Sequence, residues 1–343
     1  MIGQVATRAL TGIVLLGLGG CVAHFKRDQQ TAESYRYQAP SVAAASLHYT
    51  ANGPVALEPP RRQLRYHEVI PFSFGSTGSN GHASNRVEGL YLKSRLGGAR
   101  KLLIVLPIWG TSTYPPRKVA YGYAHHSRGD AHVIWVFGEP PLFPWRTLWS
   151  TASEAEWVAI TEDGIERYRT AIIDTRRLLD WVGSRREIDA DRVALIGFSM
   201  GALAAATLMG NDARVSTGIF MLGGANYAEV MASCRGKAGR IREHALKRYG
   251  WSLDAYREFF ARRIGAAEPL RYAGRYNPDR ILMIDAKFDN CIPPQAREAL
   301  WEATGRPERV TMLYRHKGAF YSLTPLGFNF ARGMIYQFLD RAL

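Results

Sequence analysis

Five short stretches of the chain are apolar almost throughout: KLLIVLP (101–107), HVIWVF (132–137), RVALIGFS (192–199), STGIFMLGG (216–224) and RILMIDA (280–286). A strand with one wet face alternates polar and apolar residues. A strand covered on both faces does not, so these runs predict a parallel sheet between two layers of helices. Ile165, Tyr168, Ile172, Leu179 and Val182 recur at helical spacing, and the carboxyl-terminal GFNFARGMIYQFLDRAL is amphipathic. Ahead of the first run, RYHEVIPFSF and RVEGLYLKSR flank the Gly/Ser/Asn-rich FGSTGSNGHASN, a hairpin-like pair at a sheet edge. The fold class is therefore α/β, a doubly wound, mostly parallel sheet. One connection is too long for a simple crossover. Residues 225–279 include KAGRIREHALKRYG and SLDAYREFFARRIG, two or three helices expected to form a cap over the crevice at the carboxyl ends of the strands.

Composition adds scale and surroundings. With 343 residues and 47% apolar content, the chain can bury a large core, in one main domain from 61 to 343 that carries the insertion. The formal charge of +14 is spread along the chain, and arginine far outnumbers lysine. No basic run alternates with aromatics as a nucleic-acid groove requires, so nucleic acid is not expected as a partner; anionic headgroups or sugars suit the charge better. At the amino terminus, Arg8 precedes an apolar stretch from Ala9 to Leu18 that is too short to span a bilayer. The stretch ends in Leu18-Gly19-Gly20-Cys21, which resembles the lipobox of bacterial lipoproteins. That resemblance implies a signal peptide over 1–20, a lipid anchor on Cys21 and a chain facing the cell envelope, on the periplasmic side. Residues 21–60 show little periodicity and end in Pro59-Pro60, and so are expected as a flexible tether. Two cysteines remain, Cys234 and Cys291. In an oxidising compartment they permit one disulfide, and neither lies in a zinc-ligand pattern.

The chemistry centres on Gly197-Phe198-Ser199-Met200-Gly201, where an apolar strand runs into a serine and a small-residue helix, MGALAAATLMG, runs out of it. A serine at such a turn stands above the sheet with its hydroxyl exposed. Met200 is expected to supply one backbone N–H to a developing oxyanion. The loop after LLIVLP supplies the other, with Trp109 preferred over its neighbour Ile108. A carboxylate that orients an imidazole must project from a strand's carboxyl end. In ILMIDAKFDNCIPP that favours Asp289 in the loop over Asp285 within the strand.

From about residue 61 onward the chain resembles α/β-hydrolases of the dienelactone hydrolase and acetyl xylan esterase-like group. The residues that carry the resemblance are LPIWG, YRTAIIDTRRLLDWVGSRREIDADRVALIGFSMGALAA, FMLGGANYAEV and ILMIDAKFDNCIPP. It implies a Ser, Asp, His triad in that chain order and hydrolysis of a carboxylic ester, small-molecule or glycan, with no metal or organic cofactor. His316 is the one histidine after Asp289. Relatives carry Gly-His in that loop, whereas here Lys317-Gly318-Ala319 follows the histidine, and two readings stay open. Either the loop is shortened before His316 and its imidazole still reaches Ser199, or the base is lost and Ala319 stands in its place. The second reading makes the chain a catalytically impaired envelope binding protein; acyl transfer or peptidase action on the same serine is a further alternative. His125 and His126 are expected in a solvated loop and His244 on the exposed face of a cap helix.

Overall fold

The computed structural model describes residues 22–26, 35–38, 47, 49, 54–76, 86–108, 114–138 and 142–343. The strands are β1 (Val22–Phe25), β2 (Ala56–Leu57), β3 (Arg62–Gln63), β4 (His67–Gly75), β5 (Arg86–Ser94), β6 (Arg100–Val105), β7 (Ala131–Val136), β8 (Ile188–Phe198), β9 (Thr217–Met221), β10 (Ile281–Ala286) and β11 (Glu308–Met312). They form one sheet in the order β1-β11-β10-β9-β8-β6-β7-β5-β4-β2, with β3 also paired to β4. From β11 across to β7 the pairings are parallel. The outer strands at both ends run antiparallel to their neighbours. The five apolar runs are five of the parallel strands, and every residue of β7, β9 and β10 is buried.

Helices cover both faces. On one lie α1 (Tyr114–His126) and the carboxyl-terminal α9 (Phe330–Ala342). On the other lie α2 (Trp145–Leu148), α3 (Glu154–Gly183), α4 (Met200–Asn211), the insertion helices α5 (Tyr227–Ser233), α6 (Lys237–Arg248) and α7 (Leu253–Ile264), and α8 (Pro294–Ala303). At 30 residues, α3 is longer than its periodic stretch suggests. It starts where the Ser153 hydroxyl accepts the Glu156 N–H, satisfying one of the amides that a helix start leaves unpaired.

That extra length carries the insertion. Trp157, on the first turn of α3, is fully buried, and its ring meets those of Tyr249, Trp251, Tyr256 and Phe259 at 5.2–6.3 Å between centroids. Arg263 pairs with Glu162, and the Trp251 indole donates to Glu154. Residues 225–279 therefore pack against the flank of α3 as part of the main core, instead of resting on the domain as a separate lid.

The expectation of a flexible tether over 21–60 needs correction for its described residues. Val22–Phe25 adds an antiparallel strand to β11. Phe25 meets Trp301 edge-on at 5.2 Å, and His24 lies 2.8 Å from Glu308. The Leu47 carbonyl accepts from the buried Arg176, and Tyr49 donates to Asp180. An uncovered parallel edge offers a row of unpaired N–H and C=O groups, and VAHF satisfies them. Its few residues are too short a run for periodicity to mark.

A buried histidine at the edge of the core makes the fold sensitive to acid. His132 in β7 accepts the Ser94 N–H at Nδ1 (2.9 Å) and donates from Nε2 to the Glu187 carbonyl (2.9 Å), so it is held neutral. Burial brings its pKa down to about 4, and burial also lowers that of His67. The unfolded chain takes up these protons at a higher pH than the folded one. Stability therefore falls as pH drops from about 6.5 towards 4, by about 3 kcal/mol for His132, with His67 adding in the same direction. Urea unfolding across this range should show the drop. It should shrink in His132→Gln, and an equally steep profile in that variant would contradict the assignment.

Candidate active site

β8 ends at Phe198, and Ser199 turns the chain directly into α4 with φ 54° and ψ −122°. For a residue with a Cβ this left-handed backbone is strained, and such strain gathers at functional sites. The turn is held by the Ser199 N–H donating to the Met221 carbonyl (2.9 Å) and the Ala202 N–H donating to the Ser199 carbonyl (2.8 Å). It closes only because Gly197 has no side chain, since a Cβ there would lie 1.9 Å from the Gly201 carbonyl oxygen.

The Ser199 hydroxyl lies 2.9 Å from His316 Nε2. The other ring nitrogen, Nδ1, lies 2.9 and 2.8 Å from the two carboxylate oxygens of Asp289. Because an ionised carboxylate only accepts, Nδ1 carries the proton and Nε2 is left to accept from the serine. Asp289 has no exposed side-chain surface, and its Oδ1 also takes the N–H groups of Cys291 (2.7 Å) and Ile292 (2.8 Å). The three residues thus stand in one hydrogen-bonded line at the carboxyl ends of β8, β10 and β11.

Of the two readings of the histidine loop, the geometry fits the first. His316 follows β11 after three residues. The loop is stitched to the acid loop by two backbone hydrogen bonds, Lys287 N–H to the Met312 carbonyl (2.8 Å) and Phe288 N–H to the Tyr314 carbonyl (3.1 Å). Ala319 is fully buried in the 3-10 turn Gly318–Leu323, where its N–H donates to the Arg315 carbonyl. Asp285 is engaged elsewhere: it is fully buried and pairs with Arg309 at 2.7 Å. Burial raises its pKa, against the opposing pull of Arg309 and Arg297.

The remaining expected residues are distributed as follows. Met200 is the first residue of α4, so its N–H has no partner within the helix and points out of a positive helix end. Trp109 and Cys21 lie outside the described residues; Ile108 is half-buried at the end of the β6 loop. His125 and His126 sit in the last turn of α1 and not in a loop, with His126 2.7 Å from Asp340. His244 is half-buried 2.7 Å from the Thr151 carbonyl oxygen, because α6 packs against the segment before α3. No group of three or more His, Cys, Asp or Glu placed to hold a metal occurs among the described residues.

Two further supports hold the site. Phe320 meets His316 edge-on at 6.2 Å and Phe198 at 6.4 Å, walling one side of the imidazole. Cys234 and Cys291 form a disulfide across 57 positions. It joins the insertion to the acid loop two residues from Asp289, beside a hydrogen bond from the Arg235 N–H to the Asn290 carbonyl (2.8 Å). Loop closure of that length contributes about 4 kcal/mol through the unfolded state. The sequence already permits this disulfide, since Cys234 and Cys291 are the two cysteines left after Cys21, whereas nothing local marks Phe320, four residues beyond the histidine, as a wall of the imidazole.

The elbow yields a direct test. Gly197→Ala should destabilise the fold by at least about 2 kcal/mol in urea unfolding, because backbone, not a flexible side chain, occupies the space. It should also slow any reaction at Ser199. Wild-type stability together with wild-type reactivity would contradict the turn described.

Comparisons with known proteins come down to shape. No protein-family model matches the chain, and no curated protein matches it in sequence. Among solved structures, acetyl xylan esterase 1 from Thermoanaerobacterium sp. superposes with a TM-score of 0.61 at 16% identity, covering 92% of this chain and 99% of that one. The acetyl xylan esterase from Paenibacillus sp. R4 gives 0.60 at 17% identity, covering 92% and 100%. The acylaminoacyl peptidase of Pyrococcus horikoshii gives 0.51 at 16% identity, covering 82% of this chain but 42% of its own. At such identities the likeness is one of architecture, and the architecture is the α/β-hydrolase fold.

Proposed function

We propose that this chain is a serine hydrolase that cleaves a carboxylic ester through an acyl-enzyme intermediate. The observation that carries the reading is the line Ser199 Oγ, His316 Nε2, His316 Nδ1, Asp289, with contacts of 2.8–2.9 Å throughout. Ser199 Oγ attacks the ester carbonyl while Nε2 takes its proton. The imidazolium so formed is stabilised by the buried Asp289 carboxylate. The tetrahedral oxyanion is taken by the Met200 N–H and, in this proposal, by that of Trp109. Collapse breaks the bond to the alcohol, which leaves with the proton from Nε2. Water then attacks the acyl group on Ser199 by the same proton route, releasing the acid and restoring the serine.

The fold neighbours named acetyl xylan esterase support an ester substrate, small-molecule or glycan, with a small acyl group. No observation favours the impaired binding protein, whose motive was a histidine out of reach.

On short-chain aryl esters, Ser199→Ala should abolish turnover, and His316→Ala should lower kcat roughly a hundred- to ten-thousandfold. Added imidazole should restore part of the His316→Ala loss. Unchanged turnover in either variant would overturn the reading.

We also propose that the mature chain begins at Cys21 and is lipidated there, facing the envelope. The Leu18-Gly19-Gly20-Cys21 sequence supports this. Intact mass after detergent extraction should show an acylated cysteine at the amino terminus; a mature chain starting elsewhere would reject it.

A further inference from the structure

The two loops that carry Asp289 and His316 also carry large apolar side chains turned to water. In the acid loop Phe288 is 56% exposed; after His316, Tyr321, Leu326 and Phe328 are 60%, 85% and 76% exposed. Soluble surfaces expose single apolar residues routinely, but a group of this kind at one edge marks an interaction site.

The exposure is built, not incidental. The segment folds back on itself: the Asn329 N–H donates to the Thr324 carbonyl (2.8 Å) and the Phe328 N–H to the Pro325 carbonyl (3.0 Å). A Cβ at Gly327 would lie 2.2 Å from the Tyr321 carbonyl oxygen, so the apposition requires glycine. Phe328 itself has φ 54°, a left-handed backbone unusual for an aromatic residue. Backbone strain and an exposed phenylalanine thus coincide at Phe328, a combination that points to a role at the surface.

The exposed charge on these two loops has one sign. Lys287, Arg315 and Lys317 are exposed, and none has an ion-pair partner among the described residues. The one carboxylate in 286–290 and 313–329 is Asp289, which is buried against His316. Exposed leucine and aromatic side chains flanked by lysine and arginine suit the boundary between acyl chains and anionic headgroups. The register of β1 gives the same direction independently. Val22 pairs with Met312, so the antiparallel β1 starts at the carboxyl end of β11, the end that carries His316. A lipid on the preceding residue would attach at this edge.

We propose that the catalytic edge of the sheet docks on an anionic bilayer surface, with Leu326 and Phe328 entering the interface and Lys287, Arg315 and Lys317 meeting the headgroups. The esterase would then work with its site turned towards the membrane. The surface argument does not depend on the esterase reading, and the test does not measure turnover.

An environment-sensitive fluorophore is attached through Leu326→Cys in the full chain, with Cys21→Ser to leave one reactive thiol. A matched chain carries it through Ser184→Cys, at the opposite end of the sheet. On vesicles of phosphatidylglycerol and phosphatidylcholine, the label at 326 should shift to the blue and brighten, while the label at 184 stays as in water. Lys287→Glu with Lys317→Glu should weaken that binding on the order of tenfold or more. The proposal is overturned if the label at 326 stays water-like on these vesicles, or if both positions respond alike. It is also overturned if the label at 326 responds equally to phosphatidylcholine alone, or shifts on raising protein concentration without vesicles, which would make a second copy the occupant.

Discussion

A carboxylate without solvent contact is expensive unless every lone pair is used, and the site of this protein is organised around that constraint. Asp289 has no exposed side-chain surface and is satisfied by two backbone N–H groups of its own loop and by the imidazole of His316. Such charge-assisted bonds are short and directional, so the imidazole can rest in one orientation only. That orientation leaves Nε2 facing Ser199. Serine, in turn, is held in a backbone conformation it would not choose, because strand, helix and the close approach at Gly197 force the turn. The parallel sheet is what brings these loops to one edge, and the disulfide with the two inter-loop hydrogen bonds keeps them there.

The central strands and the sharp turn at Ser199 were legible in the sequence for one reason: their signals are local. A strand buried on both faces is apolar at every position, and a strand-to-helix elbow is read within a few residues. The fold class followed from these. The contact of Asp289 with His316 was legible because Asp289 lies beyond the strand end and Asp285 within it. The contact of His316 with Ser199 was legible only as a pair of readings, since one histidine was available and its offset depends on how many residues the loop uses after β11. No local pattern encodes that count; the hydrogen bonds from Lys287 and Phe288 to the β11 loop set it.

What escaped the sequence is non-local. Val22–Phe25 reads as the start of a flexible tether, yet it completes the sheet at β11. The insertion reads as a helical cap, yet its aromatic residues close around Trp157 and make it part of the core. Its disulfide ends beside Asp289, so the insertion borders the site by bracing the acid loop. Placed this way, the chain has Ser199, His316 and Asp289, its exposed apolar loop and the start of β1 at one end of the sheet. The proposed chemistry and the proposed lipid attachment share that edge.

The central claim is that Asp289 holds His316 so that Ser199 becomes the one reactive hydroxyl. It is tested most directly by mapping, with mass spectrometry of peptides, where a phosphonylating ester attaches and how fast. The account predicts a single adduct on the peptide carrying Ser199, formed much more slowly in Asp289→Asn, where the amide favours the wrong imidazole tautomer. An adduct on another residue, or an undiminished rate in Asp289→Asn, would contradict it.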